Sequence, residues 1–149
     1  MVPTPPPPPV VIEPPVPINL KKAIYEYLSS LPELSETIQG RVFRKRSQSQ
    51  TQTPFIVYDV SGYENKLGKY QGKHGYQGNK LTIDIIGNYE IEEQLREIGE
   101  LLVSKLGGFI GKLRPCRKGT INLMGVDEGY DEKTDYSVFR LMFLCKHTF

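Results

Sequence analysis

Leu81-Thr82-Ile83-Asp84-Ile85-Ile86-Gly87-Asn88, with the run 89–106 behind it, decides the fold. Leu81, Ile83 and Ile85 alternate with Thr82 and Asp84, and a period of two places the three apolar residues on one face of a pleated strand over 81–87. Gly87-Asn88 interrupts that strand. Asn88 is a suitable N-cap, since its side chain can accept from a free N–H of a first helical turn. Glu90, Glu92 and Glu93 then sit where the helix dipole favours negative charge. Ile91, Leu95, Ile98, Leu102 and Leu106 recur at spacings of four, three, four and four, an apolar stripe at helical period over 89–106. Lys105 falls in the last turn, and Gly107-Gly108 supplies a left-handed C-cap. The stripe needs an apolar surface to lie on, and the nearest is the strand face of Leu81, Ile83 and Ile85.

Working outward, the segment 19–30 predicts a first helix, capped by Asn19, with Leu20, Ile24, Tyr27, Leu28 and Leu31 as its apolar stripe. Pro32 ends it, because the residue before a proline is pushed out of the helical region. A short turn or helix follows, anchored by Ile38 and closed by Gly40. A short strand is expected over 41–46. A polar loop over 47–53 leads through Pro54 into the β-prone run 55–60, which Ser61-Gly62 ends. Residues 63–79 read as a loop or flexible hairpin tip, rich in Gly, Tyr and Lys. Beyond the central unit, 109–119 is a basic connector and 120–126 a strand. An acidic turn is expected over 127–135, and 136–145 is the last strand. That strand carries Phe139, Leu141, Phe143 and Cys145 on one face, and Val138, Met142 and Leu144 with Arg140 on the other. Apolar residues on both faces mark a central strand, or one whose second face meets a helix or another subunit.

The predicted order is αβββαββ. Helices and strands do not alternate singly, so the fold class is α+β: a mainly antiparallel sheet of four to five strands with two main helices on one face. One domain is expected over 19–149, preceded by an extended proline-rich arm over 1–18. Nine of the 12 prolines lie in 1–17, with Pro5, Pro6, Pro7, Pro8 and Pro9 consecutive. Such a segment cannot supply a backbone ladder and favours polyproline II, with a reach of roughly 50 Å at about 3.1 Å per residue. Composition alone reads it as a disordered tail. Val10, Val11, Ile12, Val16 and Ile18 give it grip for docking on a neighbouring subunit or partner.

The 149 residues carry a formal net charge of +2, which is weak for a dedicated nucleic-acid binder. There is no apolar run of about 18 residues, so no membrane span is expected, and the start has neither the basic nor the apolar region of a signal peptide. Cys116 and Cys145 are too few for a disulfide framework. With His74 and His147 they include only one close pair, whereas zinc sites show paired close spacings. No Gly-x-Ser-x-Gly, P-loop or dinucleotide fingerprint is present, and 127–131 lacks the alternating oxygens of an EF-hand loop. No enzyme activity, cofactor or metal is expected. A nucleic-acid-binding module is the alternative: Tyr70, Lys73 and Tyr76 in the loop could stack bases and touch phosphates, helped by Arg114, Arg117 and Lys118 in the connector.

Four stretches carry a further likeness. They are Leu20-Lys21-Lys22-Ala23-Ile24-Tyr25-Glu26-Tyr27-Leu28, the step Gly40-Arg41-Val42-Phe43, Pro54-Phe55-Ile56-Val57-Tyr58, and the strand-plus-helix 81–106; the chain then closes on a hydrophobic strand near Phe149. In this order of segments, 19–149 resembles the tail-completion or tail-terminator proteins of long-tailed bacteriophages. The proline arm and the Gly-Tyr-Lys loop depart from that pattern. The resemblance implies a structural virion protein in the tail or neck, assembled in the host cytoplasm. It implies a ring, typically of six subunits, that caps the tail tube, ends its elongation and meets the head-neck connector or adaptor. Genomic DNA would pass through the lumen without sequence-specific binding. Candidate contact residues are Pro5 to Pro9, Val11 and Ile12 of the arm; Tyr70, Lys73 and Tyr76 of the loop; Arg114, Arg117 and Lys118 as a basic patch; and Asp127, Glu128 and Asp131 as its acidic counterpart. Arg140, a charge inside an apolar strand, is expected to pair across a subunit interface with an acidic residue such as Asp127 or Glu128 of a neighbour.

Overall fold

The structure is a computed structural model that describes residues 3–6, 20–46, 52–66, 76–114 and 119–148. Its centre is the strand β3 (Tyr76–Asn88), followed by a 3₁₀ turn (Tyr89–Ile91) and the helix α3 (Glu92–Leu106). Leu81, Ile83 and Ile85 are fully buried on one face of β3, and Leu95, Ile98, Leu102 and Leu106 of α3 are buried with them. Each such side chain contributes on the order of 1.5–3 kcal/mol by leaving water. The helix lies close to its strand because residue 87 is glycine: a Cβ there would come within 2.7 Å of Ile91 and 2.8 Å of Leu95.

The other elements are α1 (Leu20–Ser30), α2 (Pro32–Ser35), β1 (Val42–Arg44), β2 (Phe55–Lys66), β4 (Gly108–Phe109), β5 (Thr120–Asp131) and β6 (Tyr136–Thr148). A 3₁₀ turn (Ile110–Lys112) follows β4. The strands form one six-stranded sheet in the order β1-β2-β3-β6-β5-β4. All pairings are antiparallel except β1 with β2. α1 packs on β1 and β2, and α3 on β3 and β6. The same face of β6 buries Phe139, Leu141, Phe143 and Cys145.

Several expectations need correction. The sheet has six strands rather than four to five, because Gly108–Phe109 pairs with Thr120 and Ile121. α2 adds a short third helix. β2 does not stop at Ser61-Gly62: it runs on to Lys66 past a register shift between Ser61 and Glu64, and β3 starts at Tyr76. Much of the expected 63–79 loop is therefore two strand arms, held by backbone bonds that need no apolar side chain; 67–75 lie outside the described residues. The acidic segment is not a turn up to Asp131. Asp127, Glu128 and Asp131 are strand residues, paired with Arg140, Phe139 and Tyr136. Asn88 stands at the N-cap of the 3₁₀ turn rather than of α3, and its side chain makes no cap bond there. The positive φ of the C-terminal glycines belongs to Gly108 (108°), while the Gly107 N–H closes α3 on the Val103 carbonyl at 2.9 Å. The expected cap Asn19 lies outside the described residues.

Lys105 ties the end of α3 to α2 through Glu33, at 2.8 Å, and its carbonyl accepts from the Tyr27 hydroxyl of α1 at 3.1 Å. The hydrogen bond from Lys105 pulls the Glu33 carboxyl below its ordinary value. A lowered carboxyl adds stability above the unfolded value, roughly pH 4, and loses it as pH falls through the folded one. Glu33→Gln should therefore lower the melting temperature near neutrality, with the difference from wild type closing toward pH 3 in thermal melts at low salt.

Candidate interaction surfaces

With both main helices on one side, the other face of the sheet is free of described helices. Its centre is a row set by the register Asp127–Arg140–Asp84 across β5, β6 and β3. Arg140 grips Asp84 with two bonds, Nε to Oδ1 at 2.7 Å and an Nη to Oδ2 at 2.9 Å. The bond to Asp84 and the charge of Asp84, with Asp127 adding to them, raise the Arg140 pKa further. Arg140 thus has an acidic partner in its own chain, Asp84 on the neighbouring strand. Around this row Ile86, Val138, Met142 and Leu144 are half-buried. Beside it Lys45, Val57, Tyr58, Asp59, Thr82, Asp84 and Arg140 line a cleft of about 290 Å³. It is a polar hollow lined by carboxylates and cations.

The Asp84 side chain is 17% exposed and that of Arg140 48%. Arg140→Ala leaves a largely covered carboxylate without its partner. The expected cost is about 1–2 kcal/mol, at the low end of an unpaired buried charge because water screens the pair. Adding Asp84→Ala should recover part of that loss, as a double-mutant cycle in urea would measure.

The second surface is the β5 edge. β4 covers only Thr120 and Ile121, and no other described strand lies beyond β5. A bulge between Leu123 and Gly125 pushes out Met124, which is 66% exposed, and Leu123, Val126 and Tyr130 are exposed with it. Between 127 and 135 stand five carboxylates and one lysine. Arg96 of α3 holds Glu128 at 3.0 Å and Glu93 at 3.2 Å. The Tyr130 hydroxyl donates to Asp135, and Tyr89 meets Tyr130 edge to face at 5.6 Å. Among the described residues, Asp127 and Asp131 accept hydrogen bonds from backbone N–H groups of their own segment.

The third surface is the opposite edge, at β1. Arg44, Lys45 and Arg46 are exposed there, and none forms an ion pair among the described residues. Arg41 is structural instead: its guanidinium bonds the carbonyls of Pro54 and Thr37. The run Arg44-Lys45-Arg46 was visible in the sequence, but its place at a sheet edge was not. Arg114 is exposed near the Thr120 end of β5, where the Ile110 N–H donates to Gly119. It therefore shares the β5 side of the sheet with Asp127, Glu128 and Asp131, some seven to eleven residues along the strand from Thr120, or roughly 25–35 Å. Pro5 and Pro6 are exposed and outside any helix or strand. Tyr76 opens β3, opposite Lys66 and Thr148. Pro7, Pro8, Pro9, Val11, Ile12, Tyr70, Lys73, Arg117 and Lys118 lie outside the described residues, as do Cys116 and His74. Among the described residues no group of three His, Cys, Asp or Glu could hold a metal, and no helix is long and apolar enough to cross a membrane.

No family model matches this chain, and no curated protein matches it. A solved structure shares its fold. It is a chain of a structure titled "Virion of native gene transfer agent (GTA) particle", similar with a TM-score of 0.67 at 13% sequence identity. The likeness covers 87% of this chain and 95% of that one. At this identity it establishes the fold, over nearly all of the neighbour's length.

Proposed function

We propose that this protein is a structural component of a phage-like particle, and within it the ring that caps the tail tube. The observation that carries the reading is the near-complete overlap with a chain of a gene transfer agent virion, 95% of that chain's length. The order of segments over 19–149, which resembles tail terminators, narrows it to the end of the tail. In this role six copies close into a ring, stop addition of tube protein and present a surface to the head-neck connector. The work is mechanical, done by surfaces, without catalysis or cofactor. Genomic DNA passes through the lumen without sequence reading. In this role the proline-rich residues 1–18 and the Gly-Tyr-Lys stretch contact neighbouring subunits or partners, and Arg114, Arg117 and Lys118 contribute positive charge to such contacts.

The test is a polymerisation assay with the tube protein of the same particle. Added chain should shorten the tubes as its ratio rises, and electron micrographs should show extra density at one tube end. Unchanged tube lengths with bare ends would overturn the reading.

A further inference from the structure

The two edges of the sheet carry opposite charge. On the β5 side, Asp127 and Asp131 are exposed and, among the described residues, accept hydrogen bonds from backbone of their own segment, Asp127 also standing across from Arg140 of β6, with Glu132 and Asp135 in the turn beyond them. On the β1 side, Arg44 and Arg46 are exposed without an ion pair among the described residues. Past Ile121 the β5 edge has no described strand to satisfy its outward backbone groups, and Leu123, Met124 and Val126 stand exposed along it. A long, partly apolar strand edge is a template for pairing with another chain, and exposed carboxylates decide which chain it accepts. On the opposite side Tyr25 of α1, the helix that packs on β1, adds exposed aromatic surface beside the cations.

We propose that the β5 edge of one copy docks against the β1 edge of the next, with Asp127 and Asp131 facing Arg44 and Arg46 of the neighbour. Such a contact is head to tail: it uses two different patches of each chain, on opposite sides of the subunit, as a closed ring requires. This rests on the ring reading and names its interface. It also gives the acidic strand a counterpart on the far side of the subunit, whereas Arg114 lies on the same side as the carboxylates.

The test uses sedimentation of the full chain at equal concentrations. Asp127→Lys with Asp131→Lys sets cations opposite Arg44 and Arg46 of the neighbour and cancels the acidic excess of 127–135. Arg44→Glu with Arg46→Glu makes both edges acidic. Each variant should associate roughly 100-fold more weakly than wild type, because like charges across a contact cost several kcal/mol. The milder Asp127→Asn with Asp131→Asn should lose about tenfold. Mixed in equal amounts, the two reversed variants should reassemble, since alternating copies bring opposite edges together at every contact. That recovery also shows that both are folded. All four substitutions in one chain should restore assembly too. Wild-type-like assembly of each reversed variant alone would overturn the edge pairing and leave the ring standing. A wild type that stays at the mass of one chain, with no association in the mixture, would overturn both.

Discussion

Phe143→Ala should lower the stability of the domain by about 3–5 kcal/mol, the range for truncating a buried aromatic. Phe143 is fully buried on the middle of β6, between Leu81 of β3 and Leu123 of β5. It belongs to the cluster that includes Leu102 and Leu106 of α3. β6 has strands on both sides and α3 across one face, so the surroundings cannot collapse into the space left by the ring, and both lost transfer and cavity terms apply. A small domain holds only about 5–15 kcal/mol in all. Urea unfolding should show a large fall in midpoint with little change in slope. Phe143→Leu, which keeps most of the volume, should lose under about 1.5 kcal/mol.

Gly99→Val should be nearly as damaging, at about 3 kcal/mol. Gly99 sits in the middle of α3, where glycine costs roughly 1 kcal/mol against alanine. A Cβ at that position would lie 2.2 and 2.4 Å from two ring carbons of Phe139, which is buried beneath it on β6. The helix therefore gives up intrinsic propensity to approach the sheet. A branched side chain must displace the ring or lift the helix off the strand. Phe139→Ala in the same chain should remove the clash, so the double variant should be more stable than the sum of the single losses predicts, by about 1–3 kcal/mol of coupling. Simple additivity would mean that α3 moves freely over β6.

Periodicity carried the centre of this fold into view. Leu81, Ile83 and Ile85, the α3 stripe and the two-faced strand at 136–145 all occupy the places their spacing implies, since each has a partner surface within reach. What stayed hidden was set by pairing rather than by local preference. Asp127, Glu128 and Asp131 are poor strand formers in isolation, yet β6 supplies their ladder, and tertiary context overrides propensity. Residues 63–66 and 76–79 read as loop because Gly, Tyr and Lys carry no alternation, although backbone bonds alone sustain a hairpin arm. Two residues at Gly108–Phe109 are too few to show any period. Arg140 and Asp84 are 56 residues apart, and only the register of β3 with β6 reveals them as partners. Arg44, Lys45 and Arg46 were legible as charge, while the opposition between the two sheet edges required the strand order.

The proposed role requires copies of this chain to close into a ring. Native mass spectrometry of the full-length protein, from low to high micromolar concentration, measures that directly. The 16.9 kDa chain should give way with rising concentration to one dominant closed species of six copies, without a ladder of longer forms. A single-chain mass at every concentration, or an open series that lengthens without limit, would contradict it.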